Sequence, residues 1–283
     1  MIESLRTQYP LRLLVEISGI KRSSYYKWRK NKDLVTKKRA EDILIVNGIK
    51  KLYDKHKGRY GVQRMTHALA QDFDLKANHK RVHRIMRENG YLAVIKAKNK
   101  QKFKKSEYCG KNILSRNFTG SCPFDKMATD ITEIKKSGKK IYISPIKDLY
   151  TNMIESWEVS YTASLKTATN PLLQIKDKAL PEGTYLHSDQ GGLYTSNVFN
   201  DILKDNNFIH SMSRKGTPID NSPMESFFGT LKSELIYNPL IIIDNDVELI
   251  TMINDYINYY NNDRIQKKLG YLTPFEFKNK VKE

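Results

Sequence analysis

The chain has 283 residues, with 49 Lys and Arg against 31 Asp and Glu, a net charge of +18. That length has room for two or more cores. No run approaches the roughly 20 apolar residues that cross a bilayer, the first residues lack an apolar leader stretch, and two cysteines, Cys109 and Cys122, make no disulfide framework. A cytoplasmic protein with reduced thiols and no membrane partner is therefore expected. The charge is uneven: residues 1–125 hold 30 Lys and Arg against 11 acids, and residues 126–283 hold 19 against 20. A surplus confined to one segment reads either as a solvated basic face or as the footprint of a polyanion, and its size favours the polyanion.

In chain order, Pro10 to Ile17 has a short helical pattern, Ser18-Gly19-Ile20 a turn, and Lys21 to Lys30 a second helix that mixes aromatic and basic residues. Helix, glycine turn and helix together outline a helix-turn-helix. Ile43, Val46, Ile49 and Leu52 recur at helical spacing, Gly58 to Gly61 interrupts, and Val62 to Phe73 resumes the pattern. Asn78 to Gly90 then gives an apolar stripe, Val82, Ile85 and Met86, with Lys80, Arg81, Arg84 and Arg87 supplying positive charge and Gly90 suited to a position just past a helix end. This is the preferred DNA-recognition helix; a solvated helix of a bundle is the other reading. Lys96 to Lys105, with six lysines in ten positions, reads as a flexible or DNA-tracking linker.

Past residue 120 the pattern becomes β-type. Lys126–Ile134, Ile141–Leu149 and Asn152–Tyr161 predict an antiparallel meander of three strands. Helices at Lys166–Ala179, Ser196–Asn206 and Ser222–Ile236 then alternate with strands at Thr184–Ser188 and Phe208–Met212, and Val247–Tyr260 adds a final helix. The expected class is α/β, a mixed sheet with flanking helices preceded by an all-α helix-turn-helix region. The expected division is a helix-turn-helix segment at 1–38, a helical DNA-binding domain at 39–95, a basic linker at 96–120 and the sheet domain with C-terminal helices at 121–283.

Three acids stand where strand ends or a helix start would aim them at a common point: Asp130 in the first strand, Asp189 just after the fourth, and Glu225 at the start of the Ser222 helix. Such a cluster suits two divalent metals and phosphodiester chemistry. Each acid also has an ordinary reading. Asp130 would be a polar residue on an exposed strand face, and Asp189 a turn residue in Asp-Gln-Gly-Gly. Glu225 would close a capping box with Ser222 as N-cap and Pro223 at the first helical position. Capping and catalysis compete for Glu225 but agree on a helix start, where the helix dipole favours the ionised form. Lys232, seven residues on and about 20° around a helix, shares its face. His187 on a strand points away from Ser188 and reads as structural. His79 and His83 with Cys109 and Cys122 do not make a zinc site, because 12 residues separate the cysteines.

Thr129-Asp130-Ile131-Thr132, His187-Ser188-Asp189-Gln190-Gly191, and Asn221-Ser222 through Glu225-Ser226-Phe227-Phe228 with Leu231-Lys232 resemble the DDE core of retroviral-integrase-like bacterial insertion-sequence transposases, the group whose catalytic part is encoded by a second reading frame. Tyr259-Tyr260-Asn261-Asn262-Asp263-Arg264 and Leu269 to Phe277 resemble that family's C-terminal signature, and Tyr60-Gly61 through Gly90-Tyr91 its helix-turn-helix. The resemblance spans nearly the whole chain. It implies a ribonuclease H-like catalytic fold, bound Mg²⁺ or Mn²⁺ (two ions) on Asp130, Asp189 and Glu225, and cleavage and strand transfer at transposon ends. It further implies double-stranded DNA, both transposon ends and target, as the partner, with Lys232 on transposon-end DNA and Arg264 as a further DNA contact. A homo-oligomer on DNA, the upstream-frame protein of the same element and a cytoplasmic, nucleoid-associated location complete what it implies. The sequence departs at Met127, where the family usually has Trp, and at Gln266, where a His commonly stands. A ribonuclease H-like nuclease that only hydrolyses, and a non-catalytic DNA-binding regulator, are the rival readings.

Overall fold

Pro10 has no N–H to donate and precedes the helix α2 (Leu11–Ser18); Gly19, at φ 68°, closes it. A single turn, α1 (Ile2–Leu5), comes before it, and α3 (Arg22–Lys55) follows as one helix of 34 residues. In this computed structural model residues 2–95, 112–136, 139–176, 178, 180–214 and 217–281 are described. The chain divides into two compact units, Met1–His56 with Tyr60–Leu92, and Lys57–Arg59 with Ala93–Glu283.

In the first unit the helices expected at 21–30 and 43–52 are one, and the boundary expected between residues 38 and 39 falls inside α3. The stretch between them, Asn31 to Asp42, contains no Gly or Pro, so nothing in it ends a helix. The apolar stripe is also shifted: Ile45, Ile49 and Leu52 are buried, whereas Ile43 is 61% exposed. Gly48 lies on the buried side because α4 (Val62–Phe73) approaches there; a Cβ on it would stand 2.8 Å from Leu69 Cδ2. α5 (His79–Glu88) starts where the Asn78 side chain accepts the Lys80 N–H at 2.9 Å, and it buries the expected Val82, Ile85 and Met86. Gly90, at φ 74°, sits just past its end as expected. The expected basic linker at 96–120 lies for the most part outside the described residues.

The second unit is built on a mixed sheet of β1 (Lys126–Thr129), β2 (Thr132–Lys136), β3 (Lys139–Asp148), β4 (Ile154–Ser160), β5 (Tyr185–Ser188) and β6 (Ile209–Met212). The strand expected at 126–134 is interrupted at Asp130-Ile131. Both halves still follow one line along the same edge of β3, with Met127 opposite Asp148 and, further along, Thr132 opposite Ile143. β4 takes the other edge of β3, antiparallel, with Ile146 opposite Ser156. β5 joins β1 in parallel and β6 joins β5 in parallel. The spatial order is therefore β4, β3, the β1/β2 line, β5, β6: an antiparallel meander extended by parallel strands, which is the ribonuclease H-like arrangement.

Neighbouring residues on a strand face opposite ways, so the sheet needs cover on both sides. Ala128, Ile141 and Ile143 pack against α8 (Ser222–Leu231) and α9 (Asp246–Asn262) through Met224, Phe227, Leu231, Ile253 and Ile257. Met127, Ile146 and Leu186 face the other way, onto α6 (Leu165–Ile175) and α7 (Asn197–Asp205) through Ala168, Leu172, Ile175, Phe199 and Leu203. Met127 is fully buried there, its flexible side chain filling the space between sheet and helices. The helix expected at 222–236 changes character at Lys232, where a π-helical turn runs to Ile236. α10 (Pro274–Lys280), opened by a Thr273–Glu276 capping box, ends the described chain.

Candidate active site

The sheet register brings the two aspartates together. β1 and β5 pair in parallel with Lys126 opposite Tyr185, Met127 opposite Leu186 and Ala128 opposite His187. Carried two places further, the same register sets Asp130 beside Asp189 on adjacent strand ends, and adjacent strands lie roughly 4.8 Å apart. Asp130 occupies the break between β1 and β2 rather than a strand interior, and its Oδ1 accepts the N–H of Ile131 at 2.8 Å. Asp189 keeps its turn reading as well: its Oδ1 accepts the Gly191 N–H at 2.9 Å.

Glu225 reaches the same region from α8, but not through the expected capping box. Asn221, not Ser222, is the N-cap, and no side chain caps the helix. The Asn221 side chain is used elsewhere, its Nδ2 donating to the Thr129 carbonyl at 3.2 Å. Glu225 therefore lies one place deeper in the first turn than expected and is exposed. Asn221 ties the start of the Glu225 helix to the residue before Asp130.

The electrostatics agree with this arrangement. Burial pushes the Asp130 carboxyl up to about 7, the carboxylates of Asp189 and Glu225 push in the same direction, and the Ile131 N–H and the Lys232 ammonium oppose them. Desolvation also raises Glu225. Lys232 Nζ donates to Thr132 Oγ1 at 2.8 Å, which holds its ammonium beside the β1–β2 break. Among the described residues no three His, Cys, Asp or Glu side chains are gathered tightly enough to grip a metal ion. The three acids thus share one region and repel one another without closing on a point.

Several residues that build the site belong to no motif in the sequence. Asp220, fully buried, takes Arg214 through Nε at 2.6 Å and Nη2 at 2.8 Å, and Arg116 through Nε at 2.7 Å. The arginines hold its carboxyl well below the usual range. This network fixes the short 3₁₀ turn Pro218–Asn221 from which α8 starts. Its position directly before the quoted Asn221-Ser222 motif was the one available hint.

His187 is structural, as expected. Ser211 Oγ accepts the N–H groups of Ile113 and Leu114, both at 3.2 Å, so its single proton goes to His187 Nδ1, at 2.9 Å. The other ring nitrogen then donates to Ser213 Oγ at 3.0 Å. Burial lowers the His187 pKa, in keeping with that neutral ring.

The basic residues divide. On α5, Arg81 pairs with Asp42 at 2.7 Å and Glu41 at 3.0 Å, and Arg84 with Asp42 and Glu88, both at 2.8 Å. Lys80 and Arg87 are exposed. Arg264 departs from the expected DNA contact. Its guanidinium is buried and holds Glu234 through Nε at 2.9 Å and Nη2 at 2.9 Å, so the side chain belongs to the core and not to a DNA-facing surface. Of the residues weighed for zinc, Cys122 is exposed and Cys109 lies outside the described residues.

A mixed sheet whose parallel strand ends carry paired aspartates, with a third acid on the helix that follows, defines an integrase-type core. Residues 120–218 and 225–281 each match the family described as integrase core domain, and residues 39–99 match the HTH-like domain family. The chain is 37% identical, over 99% of its length and 98% of the relative's, to the Escherichia coli K12 protein named as transposase InsK of insertion sequence IS150. It is 32% identical to the transposase of IS904 from Lactococcus lactis, over 86% of this chain and 96% of that one. The catalytic core domain of HTLV-2 integrase, solved with magnesium, aligns with 56% of this chain and 99% of its own length at 18% identity and a TM-score of 0.46. The chain belongs to the IS3 family of integrase-core insertion-sequence transposases, and its function is that of a transposase. Among the described residues no helix is long and apolar enough to cross a membrane.

Proposed function

We propose that the chain is a polynucleotidyl transferase that cuts phosphodiester bonds at insertion-sequence ends and joins the freed 3′ ends to target DNA, with Asp130, Asp189 and Glu225 as its reactive centre. The observation that supports this reading is the parallel β1–β5 register, which continued two places sets Asp130 beside Asp189, with Asn221 tying the start of the Glu225 helix to Thr129. Such a site is costly to the apo protein: Asp130 is pushed up to about 7 by burial and by its two neighbours. Hard carboxylate oxygens in mutual repulsion suit hard divalent cations, Mg²⁺ or Mn²⁺, and the reading assigns two ions to Asp130, Asp189 and Glu225. When bound, such ions supply Lewis acidity, activating a water or a 3′-hydroxyl and stabilising the departing oxygen.

The chain's own residues do the rest. Gly191 holds the Asp189 carboxylate through its backbone N–H. Lys232 presents a cation beside Asp130, where a phosphate of the scissile strand would lie. Lys80 and Arg87 on the exposed side of α5 contact phosphates, while Arg81 and Arg84 are engaged by acids of α3 and α5. Water attacks first and leaves a 3′-hydroxyl; that hydroxyl attacks a target phosphodiester and displaces a new 3′-hydroxyl, with no covalent enzyme intermediate. Work on DNA as an oligomer, together with the upstream-frame protein, belongs to the same reading.

Labelled end duplexes test it. With Mg²⁺ the protein should give cut and joined products, and Asp189→Asn should lose both while still shifting the duplex in a gel. Cut products without joining would mark a nuclease, and a shift without products a DNA-binding regulator. Full strand transfer by Asp189→Asn would overturn the site assignment.

A further inference from the structure

Buried hydroxyls usually find a partner, yet Tyr194 OH, Thr129 Oγ1 and Ser144 Oγ are all buried without a hydrogen bond. The three belong to one place. Thr129 lies opposite Ile146 in the β1–β3 register, and Ser144, two residues from Ile146, shares its face. Tyr194 packs on that face with Met127 and Ile146 and is 2% exposed. Its phenol is influenced by Thr129 and Ser144 and by the charges of Asp130 and Asp189.

The backbone of Tyr194 is tied to the second aspartate as well. Its N–H donates to the Gly191 carbonyl at 2.9 Å, and the Gly191 N–H donates to Asp189 Oδ1, also at 2.9 Å. One residue thus reaches both acids: the main chain holds the turn that presents Asp189, and the hydroxyl lies against the residue that precedes Asp130. A phenylalanine would fill the same space without burying an unpaired hydroxyl, which costs about 1–3 kcal/mol.

We propose that Tyr194 is a positioning residue for the acid pair, its phenol packed as a brace against Thr129 so that the strand ends carrying Asp130 and Asp189 keep their spacing when a divalent cation binds. The inference rests on the reading of those aspartates as cation ligands. Groups that orient ligating carboxylates typically change metal affinity 10–100-fold when removed, whereas loss of an unpaired hydroxyl is neutral or favourable for folding.

The test is Mn²⁺ binding to the full chain, by calorimetry and by the electron paramagnetic resonance of free Mn²⁺, alongside thermal melting without metal. Tyr194→Phe should weaken Mn²⁺ binding about tenfold or more and leave the metal-free melting temperature unchanged or raised. Thr129→Val, which removes the other half of the brace, should act in the same direction, and the double variant should lose little beyond either single one. Unchanged affinity in Tyr194→Phe, with binding lost in Asp130→Asn, would overturn the brace and leave the cation site standing. Wild-type protein that binds no Mn²⁺ would overturn both.

Discussion

Asn221 Nδ2 donates to the Thr129 carbonyl across 3.2 Å, and this contact joins a helix start to a strand end 92 residues earlier in the chain. Asn221→Ala leaves the buried Thr129 carbonyl without that donor, at a cost of about 1–3 kcal/mol. The loss of strand transfer should exceed the loss of stability, since a displacement of about 1 Å in a reacting group costs on the order of 10² in rate. Urea unfolding and single-turnover strand transfer on the same preparation check both halves. A transfer rate unchanged in a destabilised variant would refute the positioning role.

Gly191 and Gly192 offer a matched pair. A Cβ on Gly191 would stand 2.9 Å from Asp189 Oδ1, while a Cβ on Gly192 meets nothing within 4 Å. Gly191→Ala should therefore push aside the carboxylate that its own N–H holds, and Gly192→Ala should not. Expected rates are a drop on the order of 10²-fold for Gly191→Ala and near wild-type activity for Gly192→Ala, with similar melting temperatures for both. Equal activity in the two variants would rule out the clash.

What the sequence disclosed follows from the range of the interactions involved. Asp130 and Asp189 were legible because alternating strands and the Asp-Gln-Gly-Gly turn are local patterns, and the parallel register does the rest. α3 appeared as two helices because its charged middle, Asn31 to Asp42, has no apolar stripe to reveal continuity. Glu225 was placed one position out: Ser-Pro-Met-Glu satisfies a capping box locally, but Asp220, held by Arg116 and Arg214, fixes the preceding turn and makes Asn221 the N-cap. Tyr194 belongs to no motif that the sequence singles out. Only the tertiary packing of Tyr194 with Met127 and Ile146 brings its phenol to the face that Thr129 shares.

Asp130 gives the fold a pH dependence. Its folded-state pKa, about 7, lies above the unfolded value of 3.8, so the folded protein binds the proton more tightly than the unfolded chain does. The associated stability is fully present below about pH 4 and is lost as pH rises towards 7, where Asp130 ionises against burial and its neighbours. Asp130→Asn removes the penalty and should stabilise the metal-free protein above pH 7 by about 2–4 kcal/mol, while abolishing cleavage. Melting in EDTA at pH 5 and pH 8 checks this: the gain should appear at pH 8 and shrink at pH 5. A gain of the same size at both values would place its origin elsewhere.

On α5 the four cations should not behave alike. Lys80 and Arg87 are exposed, whereas Arg81 and Arg84 are paired with Asp42 and further acids. Lys80→Ala and Arg87→Ala should each weaken binding to end DNA and lower the slope of log affinity against log salt by about 1, with no change in melting. Arg81→Ala should instead destabilise the helical unit, because it leaves Glu41 without this partner and Asp42 with Arg84 alone. Salt titrations of DNA binding, read beside melting curves, separate the two kinds of residue.

Arg264 makes the clearest contrast between a charge that binds DNA and one that holds a core. Its side chain is 8% exposed and that of Glu234 is 4%, and two guanidinium nitrogens meet the carboxylate at 2.9 Å. Tyr256 OH donates to the same carboxylate at 3.1 Å. Removing one member of such a pair strands the other charge away from water, which costs about 3–5 kcal/mol. Arg264→Ala should therefore unfold at markedly lower denaturant. Any protein still folded should bind end DNA with the wild-type salt slope, since no phosphate contact has been lost. Arg264→Lys keeps the charge but not the planar fork, and should fall between the two. A lowered salt slope in a fully stable Arg264→Ala protein would return this residue to the DNA interface.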